Sequence, residues 1–129
     1  MRVLLDTHVW LWMIAAPERL SKKGRSIVIA AENELVFSAA SAWEIAIKFA
    51  LGKLRLPETP EAYIPRLMAR TAVTSLPVHT RHALHVATLP AHHRDPFDRL
   101  LVAQAQLEGL PILTADAAFR KYDVTTVRA

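Results

Sequence analysis

The chain has 129 residues, 52% of them hydrophobic, with a net charge of +4 and no cysteine. That length suits one domain able to bury its own core, and the missing cysteines exclude disulfides and thiolate metal ligands. The longest apolar run, Val9 to Ala16, is too short for a membrane span, and Asp6 and His8 interrupt the N-terminal apolar stretch too early for a secretory leader, so a cytoplasmic protein is expected.

Arg2 to Leu5 reads as a short buried strand closed by Asp6, after which Thr7 caps a helix from Val9 to Ala15 that Pro17 ends. Ser21 caps a second helix reaching about Ala31, and Leu35 to Phe37 form a second strand. Ser38 caps a third helix that runs to about Leu51 and stops at Gly52. Lys53 to Pro60 is a loop, Glu61 to Arg70 a helix, Val73 to Leu76 a strand and His79 to Leu89 a short helix. Asp95-Pro96 is a strong helix start, with Asp at the cap and Pro at the first helical position, and that helix runs to Glu108 and ends at Gly109. Pro111 to Thr114 is a fourth strand, Ala117 to Lys121 a single helical turn, and Val124 to Val127 a last strand. Short apolar strands alternate with helices and none has a clean wet face. The expected fold is therefore α/β, a mainly parallel sheet covered on both sides, in one domain over residues 1–129.

Four acids stand out against this frame: Asp6, Glu44, Asp98 and Asp116. In an open parallel sheet, ligands bind at the carboxyl ends of the strands. Asp6 and Asp116 follow predicted strands, and Glu44 and Asp98 lie near the starts of helices at the same edge. Each has a plainer explanation. Asp98 suits the first turn of a helix, Asp116 can cap the turn after it, Ser41 to Glu44 matches a capping box, and Glu44 with Lys48 makes an i, i+4 ion pair. One shared site explains all four at once. Converging carboxylates repel one another and bind protons unless a cation sits between them. An all-oxygen set favours Mg²⁺ or Mn²⁺, with Asp6 and Asp98 holding the main ion and Glu44 and Asp116 completing the cluster or orienting the attacking water. The rest of the chain is then more basic still, which suits a protein that holds a phosphate backbone.

At these residues the chain resembles the PIN-domain nucleases, and within them the VapC-type toxins of prokaryotic toxin–antitoxin pairs. The likeness is carried by VLLDTHVWLW, SAASAWEIAIK, LGKLRLP, HHRDPFDRLLVAQAQ and ILTADAAF, in that order along nearly the whole chain. The family pattern places its acids at Asp6, Glu44, Asp98 and Asp116. The resemblance implies a three-layer α/β/α PIN-like fold and metal-dependent endoribonuclease activity. It also implies a homodimer, inhibition by a cognate VapB-like antitoxin, and contact with operator DNA only through the antitoxin complex. Two other readings stay open: a housekeeping PIN nuclease without an antitoxin, and a non-enzymatic module whose acids hold a structural ion. A phosphoacceptor domain would also gather acids at strand ends, but it wants paired acids after the first strand and a lysine after the last, which this chain lacks.

Other residues carry plainer expectations. Asp95 is assigned to capping rather than to the acid set. His79, His82 and His85 are expected as a polar helical stripe rather than a zinc site. His92 and His93 are expected as solvated loop residues. Trp10, Trp12 and Trp43 are expected in packing or a dimer contact rather than on bases. Lys48, Lys53, Arg55, Arg94 and Arg99 are the candidates for phosphate contact.

Overall fold

Side-chain alternation along the strands sets the layering. In β1 (Arg2–Leu5), Val3 and Leu5 enter one core while Leu4 enters the other. In β2 (Glu34–Ser38), Leu35 and Phe37 share the core of Val3, and Val36 that of Leu4. In β4 (Ile112–Thr114), Leu113 and Ile112 divide the same way. A period of two with both faces apolar is the signature of a sheet covered twice. The structure is a computed structural model and describes residues 1–129.

With β3 (Thr74–Leu76) and β5 (Thr126–Arg128) at the edges, the order is β3-β2-β1-β4-β5, and all four pairings are parallel. One layer contains α1 (Thr7–Ala15), α2 (Lys22–Ile29) and α4 (Pro60–Thr71), which place Trp10, Ile27 and Leu67 in the first core. The other contains α6 (Pro96–Glu108), whose Leu101, Val102 and Ala105 enter the second core, with α5 (Thr80–His85) packed against it. The helix α3 (Ala39–Ala50) belongs to both layers, because Ala40 joins the second core and Ile45 the first. It therefore lies across the carboxyl edge of the sheet. No helix is long and apolar enough to cross a membrane.

Several element boundaries differ from the sequence reading, most by a residue or two. The first helix begins at Thr7, with Asp6 as its flanking residue, yet the Asp6 side chain makes no cap bond. Thr7 does not cap either; its hydroxyl donates to Ser41 Oγ at 2.8 Å. The helix from His79 splits into α5 and a 3₁₀ turn, Val86–Thr88. The last strand starts two residues late, at Thr126, because Val124 N–H still turns back to Tyr122 O. The caps at Ser21, Ser38 and Asp95 form as expected, each accepting a backbone N–H of the following turn.

Trp10 is fully buried, its ring 4.3 Å from that of Phe37, and its Nε1–H donates to Thr71 Oγ1 at 3.1 Å. Replacing it removes a large core volume and a buried hydrogen bond. Trp10→Ala is expected to lower stability by about 3–5 kcal/mol, read as a lower urea midpoint at unchanged slope.

Candidate metal centre

The chain leaves β1 towards β2 on one side and returns to β4 on the other, so a crevice opens between the carboxyl ends of β1 and β4. Asp6 follows β1 directly and is 4% exposed. Its Oδ2 accepts a hydrogen bond from Thr114 Oγ1 at 2.8 Å, and the same hydroxyl accepts Asp116 N–H at 2.9 Å. One threonine at the end of β4 thus fixes both strand-end acids.

The two helices that supply the other acids are pinned to this edge by buried polar bonds. Ser38 Oγ accepts Ala40 N–H at 3.0 Å and donates to Gln104 Oε1 on α6, while Ser41 takes the Thr7 hydroxyl. Ser38 is therefore the cap of α3, and the capping box at Ser41 does not form. Glu44 is 2% exposed: Oε2 pairs with Lys48 Nζ, but Oε1 is buried without any partner. The i, i+4 pair exists, though it is not a surface pair and satisfies half of the carboxylate. On α6, Asp95 Oδ1 accepts Phe97 N–H at 2.8 Å and Asp98 N–H at 3.3 Å. Asp95 does the capping, which leaves the Asp98 carboxylate free to face the crevice. Asp116 Oδ1 accepts Ala118 N–H at 2.9 Å and so caps its turn, while Oδ2 points to a histidine.

That histidine, His93, is the participant the sequence did not single out. Its Nε2 lies 3.0 Å from Asp98 Oδ2 and 3.1 Å from Asp116 Oδ2, and its Nδ1 accepts Asp95 N–H at 3.1 Å. Its ligand atom and those of Asp98 and Asp116 all lie within 4.8 Å of one another. The only signal available in the chain was its place just before the Asp95 cap; no spacing rule marks a loop histidine.

The electrostatics follow from crowding. Burial pushes the Asp98 carboxyl up to about 8, with further upward pressure from Asp6, Asp95, Glu44 and Asp116. Burial also raises Asp6, opposed by the Thr114 hydrogen bond and by His8, and supported by Glu44 and Asp116. Asp116 is pushed up by burial, but the Ala118 N–H, His93 and His8 outweigh this and hold it below its ordinary value. Lys48 loses hydration, yet its bond to Glu44 and the charges of Glu44, Asp95 and Asp98 keep its ammonium form favoured beyond the usual range. Asp98 thus feels the charges of Asp6, Glu44 and Asp116, and Asp6 those of Glu44 and Asp116. A buried oxygen without a partner and two carboxyls driven towards protonation favour a cation beside them. The group whose ligand atoms all lie within 4.8 Å of one another is His93, Asp98 and Asp116, with Asp6 and Glu44 outside it; carboxylate oxygens suit a hard divalent ion.

Cavities flank the acids on both sides. One of about 240 Å³ is bounded by Thr7, His8, Glu44, Lys48 and Lys53 among others. Another of about 210 Å³ is bounded by Asp116, Arg120 and Arg128. The basic residues divide differently from the sequence reading. Arg99 is committed to the carbonyls of Pro90, Val86 and Leu89 and is a structural clamp on the preceding loop. Arg55 and Arg94 are exposed, and Arg120 and Arg128 were not among the candidates. The three spaced histidines do not converge: His82 is fully buried between His79 N–H and Glu108, and His85 pairs with Gln106. Of the tryptophans, Trp10 is core, Trp12 lies under the Arg19 guanidinium, and Trp43 is 59% exposed with an edge-to-face contact to Phe97.

The PIN domain family profile matches residues 3–124. The chain is 46% identical to "Ribonuclease VapC16" of Mycobacterium tuberculosis over 61 residues, 47% of this chain but only 43% of that protein. It is 30% identical to "Ribonuclease VapC22" of the same organism over 120 residues, covering 93% of this chain and 91% of that one. Among solved structures, VapBC2 from Rickettsia felis, bound to a DNA fragment from its promoter, superposes with a TM-score of 0.72 over 98% of each chain, at 13% identity. That last likeness is one of fold.

Burial pushes the Asp98 carboxyl up to about 8 in the folded protein, against an ordinary value of 3.8. Between those values the folded state holds a proton that the unfolded chain has released, so stability falls as pH rises. Thermal melts in EDTA are expected to show a lower Tm at pH 8 than at pH 5, and Asp98→Asn is expected to flatten this slope.

Proposed function

We propose, from the premise that the chain belongs to the PIN domain family, that it is a Mg²⁺- or Mn²⁺-dependent endoribonuclease and the toxin of a VapBC-type toxin–antitoxin pair. On this reading residues 1–129 make a single PIN-like domain. What supports the proposal is the crowding of Asp98 by Asp6, Glu44 and Asp116 beside one buried carboxylate oxygen, Glu44 Oε1, left unpaired. The ribonuclease names of the two mycobacterial relatives supply the substrate class.

Asp6 and Asp98 would hold the ion, Asp6 being fixed by Thr114 and Asp98 by its place in the first turn of α6. When bound, such an ion supplies a water of lowered pKa and positive charge for the leaving oxygen of a phosphodiester. Glu44 Oε1 is the one carboxylate oxygen of the site with neither a donor nor solvent to satisfy it, so it takes the hydrogen bond of the attacking water and orients it. Asp116 keeps one oxygen on Ala118 N–H and offers only the other. Lys53 on one side of the acids and Arg120 and Arg128 on the other hold phosphates of a single strand laid across the crevice. An RNA substrate, a VapB-like antitoxin that covers the crevice, a homodimer, operator DNA reached only through the antitoxin complex and a cytoplasmic location complete the reading. The promoter-bound VapBC2 assembly of the same fold supports the antitoxin and DNA parts.

The deciding experiment is Asp98→Asn beside the parent, on single-stranded RNA with Mg²⁺ or Mn²⁺ and with EDTA. The parent is expected to cleave, EDTA to stop it, and the variant to lose at least ~100-fold in rate with its fold intact. Equal cleavage by both proteins would refute the assignment. Induced expression of the parent, and not of the variant, is expected to arrest growth of the host cell; equal growth of both would refute the toxin part alone.

A further inference from the structure

We propose that Trp43 is a stacking platform for one base of the RNA strand, set beside the acid crevice and braced there by Phe97. This rests on the ribonuclease reading given above.

Chain position brings the two rings to the site. Trp43 directly precedes Glu44 on α3, and Phe97 directly precedes Asp98 on α6. Successive residues of a helix point about 100° apart, so when Glu44 turns inward its neighbour faces out. Glu44 is buried, Trp43 is 59% exposed and Phe97 is half-buried. The ring centroids of Trp43 and Phe97 lie 5.0 Å apart at 79°, an edge-to-face contact between α3 and the first turn of α6. Trp43 is thus tied to both helices that carry Glu44 and Asp98. Such a contact covers at most one face of the indole and leaves the other for a planar ligand. It also steadies the ring, so little rotamer freedom is left to lose on binding.

The surroundings favour a nucleic acid over a peptide. The cavity beside Glu44 is lined by Lys48 and Lys53, and Arg94 is exposed on the loop before Phe97. Single-strand binders use this combination: the cations hold phosphates while the aromatic face takes a base. A protein-binding stripe would continue along α3. Ile47, one turn on, is instead half-buried, and the next exposed large apolar side chain, Leu51, lies about 12 Å along the axis. The other tryptophans offer no such face, Trp10 being core and Trp12 lying under Arg19. A base stacked on Trp43 sets the register of the strand, and so decides which phosphodiester meets Glu44 and Asp98.

The test uses a short single-stranded RNA spanning a bond that the parent cuts, and copies of it in which one nucleotide at a time lacks its base. Binding is followed by fluorescence anisotropy with Mg²⁺ present, in Asp98→Asn alone and with Trp43→Ala or Trp43→Phe added. Trp43→Ala is expected to weaken binding of the intact strand roughly 5- to 150-fold, the range for losing one base stack. Trp43→Phe, which keeps an aromatic face, is expected to restore most of it. One abasic position near the cut is expected to weaken Asp98→Asn by a similar factor and to cost the protein with Trp43→Ala almost nothing. Equal binding with and without Trp43 would overturn the proposal. A loss shared equally by every abasic strand would do the same, and a fall in sedimentation mass beside it would make Trp43 a contact between copies of the chain. If the parent cuts RNA and Trp43 makes no difference, only the platform fails; if the parent cuts no single-stranded RNA, the ribonuclease reading fails with it.

Discussion

Repulsion among carboxylates gathered at one edge of the sheet sets the terms for everything around them. Asp6 and Glu44 are almost wholly buried and Asp98 nearly so, and each raises the cost of ionising the next. Isolated buried charge of this kind is costly unless paired and hydrogen-bonded. The chain answers with a few partners: the Thr114 hydroxyl on Asp6, Lys48 on Glu44, and the Ala118 N–H and His93 ring on Asp116. These are enough to fold around and not enough to neutralise, since Asp6 and Asp98 remain biased towards the protonated form. On the proposed reading, a bound cation would make up that shortfall.

Holding such a cluster requires a stiff frame, and the frame is polar where it meets the site. Thr7, Ser38, Ser41 and Gln104 are all buried, and they join the start of α1, the end of β2, the first turn of α3 and the middle of α6 through side-chain hydrogen bonds. Buried polar groups stay in place only when their partners do. Two apolar cores, one on each face of the sheet, supply the bulk of the stability, and these few hydroxyls supply the register between the layers.

The parts of this arrangement legible in the sequence are those with strong local signals. Asp-Pro at residues 95 and 96, Ser38 before an apolar helix and the short strands Arg2–Leu5 and Ile112–Thr114 all declare themselves through capping chemistry or apolar runs. The four acids drew notice for a related reason, because each was expected where an α/β fold exposes its binding edge. What stayed hidden depends on partners far along the chain. His93 looks like any loop histidine until α6 and the turn after β4 bring their carboxylates to it. Arg99 looks like a phosphate ligand until the Val86–Pro90 carbonyls close on it, and His82 looks like a surface residue until Glu108 and the His79 backbone bury it. Trp43 reads as core by composition, yet α3 turns it outward beside Phe97 while Glu44, its neighbour, turns in.

The bond from Thr114 to Asp6 joins residues 108 positions apart. β4 occupies the slot beside β1 that completes the crevice, and it is nearly the last piece of the sheet in chain order. A polypeptide still emerging from the ribosome holds Asp6 and Glu44 but lacks the strand that fixes one and the helix that faces the other. The crevice is thus complete only when β4 has paired with β1, so the acids cannot share one site in a chain that stops short of Thr114.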